Sequence, residues 1–136
     1  MKDLEVERRE AIEAGERALL SLREASDQLR SARNWGLFDI FRGGFVTSMI
    51  KHSKIDNARS SINRARYDLE RFSRELQDVS MNLDIDIGGF LTFFDLMDSF
   101  LVDIMVQSRI NDASRRIDEA INKVQAALRA LKGWNF

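Results

Sequence analysis

The 136-residue chain has no proline and no cysteine. Without proline, no position is forced to break a helix by losing its backbone donor and clashing with the preceding turn. Without cysteine there is no disulfide, thiolate metal site or thiolate nucleophile, which suits a reducing compartment. Glycine is scarce: of seven, four fall in the adjacent pairs Gly43-Gly44 and Gly88-Gly89. A single histidine, His52, excludes the ferritin-like metal centre, whose paired Glu-x-x-His motifs supply two. Neither charge sign dominates: 21 Lys and Arg face 22 Asp and Glu, for a net charge of −1. No global field attracts a phosphate backbone, so nucleic acid is not an expected partner.

Long apolar runs are also missing. The richest, Phe90 to Val106, is interrupted by Asp95, Asp98 and Asp103. Each would cost roughly 2.5–3.5 kcal/mol near a bilayer centre, and no stretch reaches the roughly 20 apolar residues of a span. The N-terminal Met1-Lys2-Asp3-Leu4-Glu5 leads into charged residues rather than a signal-peptide core, so the expected location is cytoplasmic. A phosphate-binding glycine loop, a dinucleotide glycine pattern and a Gly-x-Ser-x-Gly elbow are all lacking, and no catalytic residue or cofactor is indicated.

What the chain does have is helical periodicity. Hydrophobic residues make up 44% of a length suited to one domain over 1–136. Leu4, Ala11, Ala18, Ala25 and Ala32 recur at sevens, with Gly15, Leu22 and Leu29 four residues after the middle three. A second segment places Ile55, Ile62, Leu69 and Leu76 beside Ala58, Ala65, Phe72 and Val79. A third places Ile110, Ile117, Val124 and Leu131 beside Ala113, Ala120 and Ala127. These are heptad seams. They predict an all-α fold of three long antiparallel helices, near 3–33, 44–80 and 90–132, forming a coiled-coil-like bundle with the glycine pairs at the reversals.

The second and third segments share a pattern. Ser53-Lys54-Ile55-Asp56-Asn57-Ala58 matches Ser108-Arg109-Ile110-Asn111-Asp112-Ala113, and Phe45, Val46, Ile62 and Ala65 match Phe100, Leu101, Ile117 and Ala120 at one constant offset. Duplication of a helical arm is the reading. The glycine pairs lie closer together than this offset, so the third segment carries an insertion within Phe93–Val102 that overhangs, bends or covers the bundle's tip. Residues 34–42, Asn-Trp-Gly-Leu-Phe-Asp-Ile-Phe-Arg, read as an aromatic connection plugging one end, with Asp39 capping a short turn. Leu83-Asp84-Ile85-Asp86-Ile87 alternates and reads as briefly extended.

Trp35-Gly36-Leu37-Phe38-Asp39, Gly43-Gly44-Phe45, Lys51-His52-Ser53-Lys54-Ile55-Asp56 and Gly88-Gly89-Phe90 together resemble a pattern of uncharacterised small bacterial helical proteins, over roughly residues 30–115. The resemblance implies a bacterial, all-helical chain and brings no activity with it.

Chemistry has few footholds. His52 and Asp56 are one turn apart, where an aspartate can orient an imidazole; the matching position of the repeat is Gln107, which favours a structural role. Thr92, Asp95, Ser99 and Asp103 step along one helical line, read as a solvent-facing stripe rather than a cation site. Lys51, Lys54, Arg59, Arg64, Arg66, Arg71 and Arg74 make the second helix locally basic, read as a salt-bridged face. The unusual surface is the apolar arc within 90–106, wider than the roughly 100° one neighbouring hairpin needs.

The expected function is therefore a non-enzymatic helical interaction or scaffold protein. It self-associates, as a homodimer first, through an aromatic end comprising Trp35, Phe38, Phe41, Phe45, Phe90, Phe93, Phe94, Met97, Phe100 and Leu101; another protein's helix is a further possible partner. A second reading is peripheral binding to a membrane surface, against which the acidic stripe and the absence of flanking lysines count. A metal- or ligand-binding helical protein is the third.

Overall fold

The computed structural model describes the backbone of residues 3–42, 45–83, 92–99 and 110–133, and side chains over 3–31, 57–79, 92–99 and 113–133. Every described element is a helix: α1 (Leu4–Arg42), α2 (Phe45–Leu83), α3 (residues 92–99) and α4 (Ile110–Lys132).

Asp3 starts α1 as its N-cap: its carboxylate accepts from the Glu5 amide at 3.2 Å, while its carbonyl accepts the first helical bond from Glu7 at 3.0 Å. Glu5 and Glu7 place negative charge in the first turn, as the helix dipole favours. The helix then runs 39 residues. The aromatic connection expected over 34–42 is instead its last turns, and Asp39 lies inside the helix rather than capping a new one. Gly36 is the weak position there, costing about 1 kcal/mol relative to alanine, and without proline nothing else obstructs the continuation. From Phe45, α2 returns along α1; Gly43-Gly44, the expected reversal, lies outside the described residues.

Cross-helix contacts set directions and register. Ser21 pairs with Asp68 and Glu24 with Arg64, so α2 is antiparallel to α1. Arg8 bonds Leu131 and Lys132 while Ser26 bonds Asp118, so α4 is antiparallel to α1 as well. Phe72 meets Phe94 and Arg66 bonds Asp98, so α3 runs antiparallel to α2. It therefore also runs opposite to α4. One continuous helix over 90–132 is thus replaced by two described helices of opposite direction. Laying α3 back along α2 lets Phe94 and Met97 enter the core, where each is 3% exposed.

Most of the core is the set of heptad rows, joined by Ala14, Phe94, Met97 and Leu128. Ala11, Ala18, Leu22, Ala25 and Leu29 of α1 are buried together with Ile62, Ala65, Leu69, Phe72 and Leu76 of α2 and Ala113, Ile117, Ala120, Val124 and Leu131 of α4. The small residues of α1 let both neighbours approach, and closely at Gly15. A Cβ built there would lie 2.7 Å from Leu128 Cδ2 and 2.8 and 2.9 Å from Phe72 Cε1 and Cζ. Residues matched by the repeat, such as Ile62 and Ile117, are buried at nearly the same level on the two helices flanking α1.

Arg8 closes the end of α4. Its Nε donates to the Leu131 carbonyl at 2.9 Å and its Nη2 to the Lys132 carbonyl at 3.0 Å, satisfying two acceptors that have no partner within the helix. The guanidinium also puts positive charge at the negative end of the α4 dipole.

Candidate functional site

Polar side chains on the bundle mostly hold helices together. Ser21 and Ser26 are buried, each bonded to an aspartate on a neighbouring helix: Ser21 to Asp68, Ser26 to Asp118 at 3.3 Å. Two basic residues of α2 form ion pairs, Arg64 with Glu24 at 3.0 Å and Arg66 with Asp98 at 2.8 Å. Asp98 raises the Arg66 pKa above its ordinary value, first through this hydrogen bond and then through its charge. A cleft of about 310 Å³ between α2 and α3 is lined by Arg66, Glu70, Ser73, Phe94, Asp95, Asp98 and neighbours. It offers carboxylates and hydroxyls but neither an imidazole nor a thiol, and Arg66 and Asp98 are committed to each other. Among the described residues no group of three or more histidine, cysteine, aspartate or glutamate side chains could hold a metal ion.

The aromatic residues singled out in the sequence divide into three groups. Phe94 and Met97 are core, and Phe93 is partly buried against it with Lys123 Nζ 5.7 Å from its ring centroid. These three belong to packing within the chain, which narrows the excess arc; Leu96, 68% exposed, is its one described outward member. Phe90, Phe100 and Leu101 lie outside the described residues. Trp35, Phe38 and Phe41 stand on the last turns of α1 and Phe45 begins α2, so these four converge on the closed end of one helical hairpin. The stripe reading agrees at its described positions, Thr92, Asp95 and Ser99 being exposed. His52 and Asp56 fall within α2, with side chains outside the described set; Gly88-Gly89 and the connection at 84–87 lie outside the described residues.

Among the described residues, the end of the hairpin extends past α4. At the register set by Gly15 with Leu128 and Ser26 with Asp118, Ile110 stands level with about residue 33 of α1 and about residue 55 of α2. From there to Arg42, α1 continues roughly 14 Å past the start of α4.

In this extension the heptad rows change character. The α1 rows continue through Ala32 to Asp39 and through Gly36 to Gly43; the α2 rows continue back to Ser48 and through Lys51 to Gly44. Seam positions that hold Leu, Ile, Phe and Ala in the bundle thus hold Gly, Asp, Ser and Lys near the turn. Two of the apolar residues there occupy other phases: Phe38 is nine residues from Leu29 and Met49 nine from Ala58, each about half a revolution away at 3.6 residues per turn, whereas Trp35 continues the row of Ala14 and Ser21 and Ile40 that of Leu19 and Ser26. Phe38 on α1 and Met49 on α2 thus leave the seam phase near the turn. The signal was present in the sequence, but it has meaning only once α1 is known to continue as a helix to Arg42.

The fold and site define an all-helical protein whose polar clefts carry no recognisable catalytic set among the described residues. No protein family, characterised protein or solved structure matches the chain.

Proposed function

We propose that this chain is a non-enzymatic helical interaction protein, cytoplasmic in location, whose working surface is the aromatic end of the α1–α2 hairpin. The observation that carries this reading is the departure of Phe38, Phe41 and Phe45 from the seam rows beyond the level of Ile110. Most residues needed for packing follow the seam; Phe38, Phe41 and Phe45 do not, so contact with something outside the bundle is the simplest reason for their presence. A second copy, forming a homodimer, is the partner expected from the sequence. The repeat is part of the proposal: α2 and α4 flank α1 as two uses of one helical arm, and the extension past the duplicated seam is where the molecule acquires a distinct role. The resemblance to small bacterial helical proteins adds no activity.

The test is Phe38→Asp combined with Phe41→Asp. Circular dichroism should show the helicity and thermal midpoint of the original chain, because neither position continues the packed rows, and light scattering should show any dimer reduced to monomer. A collapse of the midpoint comparable to truncating a core isoleucine would make these residues structural and sink the reading.

A further inference from the structure

Glu13 and Arg17 on α1 and Glu70 and Arg74 on α2 are exposed charges that form no ion pair or hydrogen bond among the described residues. Two exposed large hydrophobic side chains, Leu20 at 69% and Tyr67 at 61%, continue the same two lines. Spacings of three and four residues put Leu20, Arg17 and Glu13 on one stripe along α1, and Tyr67, Glu70 and Arg74 on one stripe along α2. The helices are antiparallel, with Ser21 level with Asp68 and Glu24 level with Arg64. Leu20, Arg17 and Glu13 therefore stand at the levels of Tyr67, Glu70 and Arg74, each within the same one or two residues, roughly 3 Å along the axis. Down the bundle, one stripe reads apolar, basic, acidic and the other apolar, acidic, basic. We propose that a second copy of the chain docks on this α1–α2 face about a two-fold axis along the helices, the α1 stripe of each copy meeting the α2 stripe of the other.

Within one chain the stripes leave each other unsatisfied. The groove between α1 and α2, lined by Glu13, Arg17, Leu20 and Arg71 among others, sets like against like: Arg17 stands level with Arg71, and Glu13 with Glu75. None of these four forms an ion pair among the described residues, and like charges facing each other repel. A two-fold parallel to the helices keeps every residue at its level while exchanging the helices, so it lays the partner's α2 against α1 and the partner's α1 against α2. The partner's Tyr67 then meets Leu20, the partner's Glu70 meets Arg17 and the partner's Arg74 meets Glu13, and symmetry makes each contact twice. Arg71, nearer the axis, has the partner's Glu75 one turn away.

Complementarity here is positional and does not depend on net charge. Neighbouring charges that would compete are already engaged: Glu16 with Lys132 and Glu24 with Arg64, each at 3.0 Å, Asp68 with Ser21, and Asp98 with Arg66 at 2.8 Å. Leu20 against Tyr67 supplies the apolar contact at the centre, with the ion pairs beside it. Exposed ion pairs contribute little each and are screened by salt, so the dimer is a reversible one that weakens as salt is added. The contact runs along the flank of the hairpin and makes no use of its aromatic end.

The experiment is sedimentation equilibrium of the full chain from micromolar to hundreds of micromolar concentration. The original chain should be a reversible dimer, and Arg17→Glu or Glu70→Arg alone should raise its dissociation constant about tenfold or more, since each reversal sets two like pairs face to face. Circular dichroism should show both variants folded, because neither residue has an ion pair to lose in its own chain. Mixed in equal amounts, the two variants should dimerise again: the reversed positions then face each other, and so do the unreversed ones. An original chain that stays monomeric overturns the inference, as does a dimer untouched by either reversal or a mixture that remains monomeric. A dimer indifferent to the reversals but dissolved by Phe38→Asp with Phe41→Asp puts the contact at the aromatic end and leaves that reading standing. A dimer that survives the Phe pair but not the reversals places the contact on the flank and refutes dimerisation through the end. Should either reversal unfold the chain, Glu13→Arg and Arg74→Glu make the same test one turn away.

Discussion

Gly15→Ala sets two opposing effects against each other, and the geometry says which wins. In an exposed helix this change stabilises by about 0.8–1.0 kcal/mol, because alanine loses less backbone freedom. Here the new methyl would sit 2.7–2.9 Å from Leu128 Cδ2 and Phe72 Cε1 and Cζ, whereas carbon atoms rest at about 3.5–4.0 Å. Relief requires a displacement approaching 1 Å on both sides of α1 at once. Phe72 has little room to yield: it is fully buried, with the Phe94 ring 5.7 Å away. Leu128 retains slight exposure and can adjust by rotation. Overpacking of this kind costs about 1–3 kcal/mol, so the net expectation is a loss of about 0–2 kcal/mol, centred near 1. Urea denaturation followed by circular dichroism measures it. Adding Phe72→Leu removes one obstacle, so the double variant should be more stable than the sum of the two singles, with a coupling of about 0.5–3 kcal/mol for residues in contact. A Gly15→Ala protein about 1 kcal/mol more stable than the original would refute the argument, since it would show that the helices do not approach closely at this residue.

Ile62→Ala and Ile117→Ala should each cost about 2–5 kcal/mol, both side chains being essentially inaccessible to solvent; near-neutral denaturation curves for both would place the seam on the wrong face. Arg8→Ala removes two charge-assisted bonds to the last carbonyls of α4 and a favourable charge at its C-terminus. A loss of about 1–2 kcal/mol is expected, with Arg8→Lys recovering less than half because an ammonium lacks the planar fork; equal stability of the alanine and original chains would deny the cap.

The heptad rows were legible because burial follows a repeat of seven whatever the helices pack against, and every described row member from Ala11 to Leu131 is buried. Other features depended on facts a linear pattern does not hold. Residues 34–42 resemble a loop in composition, yet a lone Gly36 is a weak obstacle beside the gain from continuing a helix. The change of direction between α3 and α4 had no marker: residues 100–109 contain neither glycine nor proline, and apolar residues on either side suit a buried helix in one piece or two. Ser21 with Asp68, Ser26 with Asp118 and Arg8 with Leu131 depend on the register between helices far apart in the chain. The seam alone leaves that register open by a whole heptad. For the hairpin end, residue types were visible but their phase was not, since phase is defined only along a continuous helix.

The position of α1 between its two neighbours has a kinetic side. Contacts between α1 and α2 close loops centred on Gly43-Gly44, Glu24 finding Arg64 after 40 residues, whereas Arg8 reaches Leu131 across 123. Loop closure grows more expensive, slowly, with length, and local pairings tend to be made before distant ones. The first hairpin can therefore zip from its turn while the C-terminal helix is still searching. On that order α4 docks last against the small side chains of α1, and Gly15, with Leu128 Cδ2 2.7 Å from a Cβ built on it, is a place where that docking leaves no spare room.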